Sequence, residues 1–185
     1  MSTRPTITIR GAGIDDIASV GGIYRHHVQH GVASFETDPP SDDDMACRFE
    51  KLMEGGYPYL VAEVAGQVVG YAYAGPYRTR PAYGNTVENS VYVDSAAVGG
   101  GVGRALLEAL IEAATARGFR QMVAIIGDSG NAPSIALHRS CGFADAGVLK
   151  NVGFKHGRWL DSVFMQRALG DGDTTPPNRS LEITC

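Results

Sequence analysis

The stretch Val91–Ala116, VYVDSAAVGGGVGRALLEALIEAATA, decides the fold, because a short β-branched run leads through glycines into a strongly periodic segment. The run is typical of a buried strand, and the apolar residues after Gly103 recur with the spacing of one helix face. Glycines let a backbone approach a ligand closely, and the first N–H groups of a helix have no intrahelical partner. The junction therefore predicts an anion site suited to phosphate or pyrophosphate. A plain glycine-rich loop that caps an amphipathic helix is the alternative interpretation.

Two common phosphate-binding motifs do not fit this loop. A Walker loop needs Gly-Lys-Ser/Thr at the start of the helix, whereas Gly103 is followed by Arg-Ala. The dinucleotide fingerprint G-x-G-x-x-G/A also fails, because its last position is Arg104 when counted from Gly99 and Leu106 when counted from Gly101. The sequence therefore contains no P-loop and argues against a nicotinamide enzyme.

The loop resembles the acyl-CoA loop of the GNAT acetyltransferase superfamily, whose pattern is Gln/Arg-x-x-Gly-x-Gly/Ala after a strand. Val98 stands where that family usually has Gln or Arg. The resemblance implies that backbone amides hold the pyrophosphate of acetyl-CoA and that Arg104 replaces part of the missing charge. The residues it implies for acetyl-CoA are Val91, Tyr92, Val93, Gly99, Gly100, Gly101, Val102, Gly103 and Arg104.

The composition is that of a globular protein. The chain has 185 residues, of which 44% are hydrophobic and 19% charged, and its formal net charge is −4. These values argue against disorder and against nucleic acid as a primary partner. No segment reaches the roughly 18 consecutive apolar residues of a membrane span, and the first residues lack the apolar core of a signal peptide. We therefore expect a cytoplasmic protein with one domain over residues 1–169 and a flexible polar tail over 170–185.

Cysteine and histidine spacing predicts neither a disulfide framework nor a metal site. The cysteines have no CxxC spacing, and the histidines of the first predicted helix have no carboxylate or cysteine at ligand spacing. We expect reduced thiols and ordinary surface or core histidines. The residues concerned are Cys47, Cys141, Cys185, His26, His27 and His30.

Hydrophobic periodicity predicts the order strand, two helices, three strands, helix, strand, helix, two strands. The strands are expected at 6–10, 59–64, 68–74, 86–93, 121–127, 143–149 and 160–168. The helices are expected after Asp15, after the N-cap Ser41, after Gly103 and over 131–141, and KNVGFKHGRW at 150–159 is expected to be a loop. This order predicts an α/β (α+β) fold with a mixed, mostly antiparallel sheet and helices on both faces, and it matches the GNAT fold.

The short helix after residue 131 strengthens the resemblance. In the superfamily an Asn precedes a helix of the form A-x-x-[LF]-Y-x-x-x-G-F, and here Asn131, Ser134, Leu137, His138, Gly142 and Phe143 occupy that register. The resemblance implies that Asn131 and Ser134 lie against the cofactor. His138 replaces a tyrosine that faces the thioester sulfur, and this replacement is a feature of the phosphinothricin and methionine sulfoximine N-acetyltransferase group.

Other segments resemble the same group, namely SFET (34–37), AYAGPYRTRPAY (72–83), TVENSVYV (86–93) and GFKHGRWLD (153–161). The resemblance runs from about Ile7 to Ala168. It implies acetyl transfer from acetyl-CoA to the α-amine of phosphinothricin, methionine sulfoximine or methionine sulfone, without a metal, by a homodimer. Acetylation of another small amine and a non-catalytic acyl-CoA-binding module are the alternatives.

Glu88 is the candidate general base. A carboxylate in an apolar strand is costly to bury unless its pKa is raised, and a raised pKa suits a base that deprotonates an amine near neutral pH. A solvent-facing glutamate on an alternating strand is the alternative. By resemblance, the backbone amide of Val93 stabilises the developing oxyanion. His138 then protonates the departing thiolate, relays the amine proton with Glu88, or only packs its helix.

An amino-acid acceptor also carries a carboxylate, which arginine binds in a bidentate manner. Arg78 and Arg80 lie just before the strand of Glu88, where the resemblance places such contacts. Lys155 and His156 would suit a phosphinate or sulfone oxygen. The remaining candidates for the acceptor pocket are Phe35, Glu36 and Tyr83.

Overall fold

The order of strands and helices predicted from periodicity is confirmed. The computed structural model describes residues 6–177. Its strands are β1 (Ile7–Gly11), β2 (Tyr59–Val64), β3 (Gln67–Pro76), β4 (Thr86–Val93), β5 (Gln121–Gly127), β6 (Ala144–Lys155) and β7 (Arg158–Ala168). Its helices are α1 (Ile17–His30), α2 (Asp42–Glu54), α3 (Val102–Ala116) and α4 (Ala132–Ser140), with short 3-10 turns at Ile14–Asp16, Pro81–Tyr83 and Ser95–Ala97.

The seven strands form one sheet in the order β1-β2-β3-β4-β5-β7-β6. Every neighbouring pair is antiparallel except β4 and β5, which run parallel. The parallel pairing ends where Asn89 faces Ala124, although β4 continues to Val93 and β5 to Gly127. The two central strands therefore separate at their carboxyl ends and leave a gap in the middle of the sheet.

Alternating side chains give the sheet two apolar faces, as predicted. On one face, α3 packs Leu106, Leu107 and Leu110 against small strand residues such as Ala72. On the other face, α1 and α2 contribute residues such as Val20 to a core with the strand tyrosines. Burial of these side chains removes apolar surface from water on both sides of the sheet, which is the main force that holds the layers together.

Local capping signals explain where the first helices start. Ser41 Oγ accepts a hydrogen bond from the amide of Asp44 at 3.1 Å, and the Asp44 carboxylate accepts one from the Ser41 amide at 3.1 Å. This reciprocal pair is a capping box, and it fixes the first turn of α2. The acidic pair at 15 and 16 behaves differently, because it lies in a 3-10 turn and α1 begins only at Ile17.

The expected loop at 150–159 is wrong, because most of it belongs to a long hairpin. β6 extends to Lys155 and β7 begins at Arg158, so only His156 and Gly157 form the turn, both with positive φ. The pairing shifts register between Leu149 and Gly153, and Asn151 has a φ of 56°. Polar residues and glycines that are typical of a loop therefore belong here to an irregular strand and a tight turn.

The described part of the predicted tail, residues 170–177, is attached to the body of the protein. Arg120 Nε donates to the carbonyl of Gly172 at 2.8 Å, and its Nη2 donates to Thr175 Oγ1 at 2.7 Å. The rest of that tail, 178–185 with Cys185, lies outside the described residues. Cys47 and Cys141 are free thiols, and no helix within residues 6–177 is long and apolar enough to cross a membrane.

Candidate active site

Glu88 lies in the middle of the sheet, on the face covered by α1 and α2. It is half-buried, and this burial raises the pKa of its carboxyl group. Its partner on β3 is Gly75, which has no side chain and leaves space beside the carboxyl group. A Cβ atom at Gly75 would lie 3.3 Å from Leu52 Cδ2. The site therefore combines a carboxylate of raised basicity with room for a second molecule.

Two cavities meet at Glu88, and both are lined by Tyr73, Glu88 and Ser90. The first has a volume of about 360 Å³ and lies under α2; its other lining residues include Tyr24, Met45, Arg48, Lys51, Leu52, Tyr59 and Tyr71. The second has a volume of about 400 Å³ and lies between residues 33–36 and the ends of β4 and β5. The carboxylate thus faces both the space under α2 and the space near the gap in the sheet.

The predicted residues Phe35 and Glu36 line the second cavity together with Glu88. Arg48 Nη1 donates to Glu36 Oε1 at 2.7 Å, and the Tyr24 hydroxyl donates to the same oxygen at 2.9 Å. Burial, as the larger cause, and the Glu36 carboxylate raise the pKa of Tyr24 to about 12. Glu36 is therefore a fixed acceptor between α1 and α2.

Lys155 and His156 support the loop that carries Phe35 and Glu36. Lys155 is 4% exposed and donates from Nζ to the carbonyl of Ser34 at 2.8 Å. Burial lowers the pKa of its amine, although the Glu36 carboxylate partly opposes this shift. His156 Nε2 lies 3.2 Å from the carbonyl oxygen of Gly31. Neither residue lines the two cavities at Glu88, so the structure gives them a supporting position.

The gap between β4 and β5 is lined by residues of both strands and of α4, among them Asn89, Val91, Tyr92, Asn131, Ser134 and His138. Asn131 caps α4, because its Oδ1 accepts a hydrogen bond from the amide of Ser134 at 3.3 Å. The register of β3 and β4, with the Asp94 amide donating to Val69 O at 2.8 Å, turns the N–H and C=O of Val91 and the N–H of Val93 away from β3. These backbone groups point toward the gap and are suited to an amide-containing chain.

His138 is buried and uses both ring nitrogens. Its Nδ1 lies 2.8 Å from the carbonyl oxygen of Ser134 and must carry the hydrogen, so Nε2 accepts from the Asn89 side chain at 2.9 Å. Burial also lowers the pKa of the imidazole. Because successive residues of a strand alternate between faces, Asn89 and Glu88 lie on opposite faces of β4. Glu88 and His138 therefore make no direct contact in this structure, and the proton relay between them, one of the alternatives for His138, stays a prediction.

His27 is a site residue that the sequence did not reveal, since its spacing offered no ligand pattern. Its Nε2 donates to the carbonyl oxygen of Val93 at 2.8 Å, and its ring lies 5.3 Å from that of Tyr92. The contact ties α1 to the end of β4, beside the backbone amide predicted to meet the oxyanion.

The glycine loop has the geometry of an anion site. Gly99 and Gly101 have φ values of 82° and 92°, which side chains rarely adopt, and Gly101 is the N-cap of α3 without a side chain that could occupy its first amides. Val98 is 69% exposed. Arg104 is paired with Glu108 at 2.8 Å along the helix, so its charge is already partly neutralised.

Arg78, Arg80 and Tyr83 line a separate concavity on the β3–β4 connection together with Thr79. The Arg78 guanidinium lies 5.3 Å from the ring centre of Tyr77 and 5.8 Å from that of Tyr83. The structure does not bring these arginines into the cavities at Glu88.

The cations in the first cavity, Arg48 and Lys51, were not predicted from the sequence. A signal for Arg48 was present, because it follows Met45 by three residues and precedes Leu52 by four, which places all three on one face of α2. Within residues 6–177 no group of three His, Cys, Asp or Glu side chains is arranged to hold a metal ion.

Comparison with known proteins agrees with this geometry. Residues 25–143 match the model of the acetyltransferase (GNAT) family. The chain is 52% identical over 174 residues to a phosphinothricin N-acetyltransferase of Alcaligenes faecalis, covering 94% of this chain and 88% of the relative. It is 43% identical over 170 residues to an L-methionine sulfoximine/L-methionine sulfone acetyltransferase of Pseudomonas paraeruginosa, covering 91% and 98%. The crystal structure of a phosphinothricin acetyltransferase from Sinorhizobium meliloti in complex with acetyl-CoA superimposes with a TM-score of 0.92, at 49% identity and 96% coverage of both chains.

The chain therefore belongs to the acetyltransferase (GNAT) family, and the resemblance noted in the sequence is confirmed. Its fold is the GNAT fold, with the mixed sheet and the two helical layers described above. The protein is an N-acetyltransferase that uses acetyl-CoA as its cosubstrate.

Proposed function

We propose that this enzyme transfers the acetyl group directly, in a ternary complex, to the α-amine of a small amino-acid analogue of the phosphinothricin, methionine sulfoximine or methionine sulfone type. The observation that carries this proposal is the half-buried Glu88 carboxylate, which lies where the two cavities meet. The names of the relatives at 52% and 43% identity support this choice of acceptor.

In the proposed mechanism, Glu88 takes a proton from the acceptor ammonium group. The neutral amine forms a bond to the thioester carbonyl carbon, and the negative charge on the carbonyl oxygen is stabilised by the N–H of Val93. The carbon–sulfur bond then breaks, the nitrogen gives up its second proton, and the departing CoA thiolate takes up that proton to leave as the thiol. Neutral His138 has one ring hydrogen, which it donates to Ser134 O. We therefore propose that His138 holds the side chain of Asn89 in place at the gap and does not transfer a proton.

The residues around the gap fit acetyl-CoA. We propose that amides of the loop from Gly99 to Arg104 bind its pyrophosphate, since the positive φ values of Gly99 and Gly101 and the bare N-terminus of α3 expose this backbone. The Gly100 amide is the exception, because it donates to Ala97 O at 3.3 Å. Its pantetheine arm would lie between β4 and β5, against Val91, Val93 and Asn131. Polar backbone atoms in the gap would then gain partners that the separated strands cannot supply.

Two sets of cations are available for the acceptor carboxylate. Arg48 and Lys51 line the cavity that contains Glu88, and we propose that they meet the carboxylate first. Arg78 and Arg80 follow shortly after Pro76, which lines the same cavity. They remain proposed contacts of the acceptor carboxylate, after Arg48 and Lys51.

We also propose that the enzyme is a homodimer that uses the β6–β7 hairpin. β6 is an edge strand, and five large apolar side chains on the hairpin are exposed, namely Val148, Leu149, Val152, Phe154 and Trp159. An exposed apolar edge of this length is typical of a surface that is covered by another chain. Sedimentation of the purified protein will show a dimer if the proposal is correct and a monomer if it is not.

The free thiols Cys47 and Cys141 and the need for acetyl-CoA support a cytoplasmic location. We propose that residues 1–169 form the catalytic domain.

The experiment that tests the function measures CoA thiol release with phosphinothricin, methionine sulfoximine, methionine sulfone, ordinary amino acids and polyamines. We expect turnover with the first three. Turnover confined to polyamines would move the acceptor to another small amine. Silence across the panel, with acetyl-CoA still bound in calorimetry, would instead favour a non-catalytic acyl-CoA-binding module.

We predict that His27→Leu lowers kcat. The substitution removes the hydrogen bond to the Val93 carbonyl oxygen, which helps to fix the backbone that carries the Val93 N–H. A hydrogen bond of about 0.5–1.5 kcal/mol corresponds to a decrease of roughly 2- to 10-fold. His27→Gln, which keeps an N–H donor at similar reach, should restore most of the rate. The matched control is His26→Leu at the exposed neighbouring position. Equal kcat values for His27→Leu and the wild type would contradict this role.

A further inference from the structure

Asp161 lies on β7 opposite the irregular part of β6. The register of the two strands shifts there, so that residues 150–152 of β6 lie opposite this one position. A bulged residue loses its partner on the neighbouring strand, and here the Asn151 amide donates to Asp161 Oδ1 at 3.1 Å instead. Lys150 Nζ donates to Asp161 Oδ2 at 2.8 Å. Hydrogen bonds from Lys150, as the largest cause, from Ser129 and from Asn151 lower the pKa of Asp161 to about 2, so the carboxylate is charged at neutral pH.

The same carboxylate holds the turn that joins β5 to α4. Ser129 Oγ donates to Asp161 Oδ2, and the Asp128 amide donates to the backbone carbonyl of Asp161 at 2.9 Å. Asp128 has a φ of 69°, a conformation that costs a non-glycine residue energy and persists only where the surrounding structure imposes it. The hairpin of β6 and β7 therefore fixes the conformation of this turn.

The turn leads directly into the gap between β4 and β5. The Asn131 amide donates to Asp128 O at 3.0 Å, and the Asn131 side chain caps α4 by accepting from the amide of Ser134. Asn131 and Ser134 line the gap together with His138. Because the N-cap fixes where a helix begins, a change at Ser129 would move the side of the gap that α4 forms.

A second contact between the hairpin and α4 differs in its exposure. Arg139 Nη2 donates to Asp145 Oδ2 at 2.8 Å, and both side chains are more than half exposed. Exposed ion pairs of this kind contribute little to stability. The Asp161 side chain is only 13% exposed, and it accepts hydrogen bonds from three residues. Of the two contacts, that of Asp161 is therefore the one able to fix α4.

We propose that Asp161 is a positioning residue for acetyl-CoA, which acts through Ser129 on the turn that places Asn131 against the pantetheine arm. This inference rests on the proposed function, because it assumes that the arm lies in the gap. Within residues 6–177, Asp161 lines neither the gap nor the two cavities at Glu88. It should therefore affect the affinity for acetyl-CoA and leave acceptor binding and proton transfer to Glu88 unchanged.

The test measures the Kd of acetyl-CoA by calorimetry and, with methionine sulfone as acceptor, kcat and both KM values. Asp161→Asn removes the charge, Ser129→Ala removes only the hydroxyl donor, and Ser129→Thr retains that donor. We expect Asp161→Asn and Ser129→Ala to raise the Kd and KM of acetyl-CoA by about 3- to 10-fold, the scale of one lost hydrogen bond. The kcat and the acceptor KM should stay within about twofold, and Ser129→Thr should resemble the wild type.

Further measurements separate positioning from a general loss of structure. Asp145→Asn, the matched control, removes an exposed carboxylate of the same hairpin that is also paired with α4, and it should leave the Kd unchanged. The double variant Asp161→Asn/Ser129→Ala should bind acetyl-CoA no more weakly than the weaker single variant, because residues that act through one contact are not additive. In the ligand-free protein, amide hydrogen exchange over residues 128–134 should be faster in Asp161→Asn than in the wild type.

Several outcomes overturn the inference. A wild-type Kd in Asp161→Asn or in Ser129→Ala removes the role, and Ser129→Ala decides alone if Asp161→Asn does not fold. An equal loss of affinity in Asp145→Asn, or a fall in kcat as large as the rise in Kd, shows a general structural effect and also removes it. Absence of acetyl-CoA binding by the wild type overturns the inference and the proposed function together. Binding of acetyl-CoA without acetylation of any acceptor refutes only the proposed function, and calorimetry of the variants then decides the role of Asp161.

Discussion

Glu88→Gln is expected to lower kcat by about 10²- to 10⁴-fold, the usual contribution of a positioned general base. The amide has nearly the shape of the carboxyl group but cannot accept a proton from the acceptor ammonium. Acetyl-CoA binding should change little, because the glycine loop and the gap are formed by other residues. Steady-state kinetics with methionine sulfone, together with calorimetry for acetyl-CoA, separates the two effects.

The same substitution has an expected effect on stability that depends on pH. Burial raises the pKa of Glu88 in the folded protein above its value in the unfolded chain, so the folded state favours the protonated form. This contribution to stability is fully present below the unfolded pKa and is lost as pH rises through the folded pKa. Glu88→Gln should therefore have a higher Tm than the wild type at pH 8, and this advantage should disappear on acidification to about pH 4.

Activity should depend on the same carboxyl group. The wild-type rate should increase as pH rises through the raised pKa of Glu88, and this limb of the profile should be absent from the residual rate of Glu88→Gln. Glu50→Gln, at an exposed position of α2, is the control for loss of one negative charge. A Glu88→Gln enzyme with wild-type kcat would remove Glu88 from the mechanism.

The sequence predicted the fold well because most of its signals are local. Strand β4 has the predicted bounds 86–93, and β5 likewise coincides with QMVAIIG. The capping box at Ser41 and the glycine N-cap of α3 are also readable from a few neighbouring residues. Both strands of the last hairpin were predicted, but their extension through residues 150–159 was missed, because β6 is exposed, contains glycines and shifts its register with β7.

The site was less predictable because its contacts join residues distant in sequence. The hydrogen bond from His27 to Val93 spans 66 positions, and that from Asn89 to His138 spans 49. The arginines just before the strand of Glu88 suggested Arg78, whereas the cavity at Glu88 receives Arg48 from a helix that precedes β4 by two strands. Periodicity indicates which face of a helix is apolar, but not which charged residue at the edge of that face reaches across a cavity.

Gly127→Ala should also have a large effect, on both stability and activity. Gly127 is the last residue of β5, and it touches the backbone of the loop that forms the site. A Cβ atom at Gly127 would overlap the carbonyl oxygen of Val32 and lie 3.0 Å from Phe35 Cε1. Because the overlap is with backbone atoms, rotation of a side chain cannot relieve it. The loop of residues 31–36 must move instead. Overpacking of this kind typically destabilises a protein by about 1–3 kcal/mol, which corresponds to a decrease in Tm of roughly 2–4 °C for each kcal/mol in a chain of this size.

The functional effect of Gly127→Ala should exceed the effect on stability. The loop carries Phe35 and Glu36, which line the cavity at Glu88, and Gly127 also borders the gap between β4 and β5. A displacement of about 1 Å at a reacting centre can cost about 10²-fold in rate, so kcat/KM should fall by that order at temperatures where the variant is folded. Gly130→Ala is the matched control, since a Cβ there meets only the flexible Asp128 side chain at 3.3 Å. Wild-type Tm and kcat/KM in Gly127→Ala would show that β5 and this loop are not in contact in solution, and the position of Glu36 beside Glu88 would have to be abandoned with it.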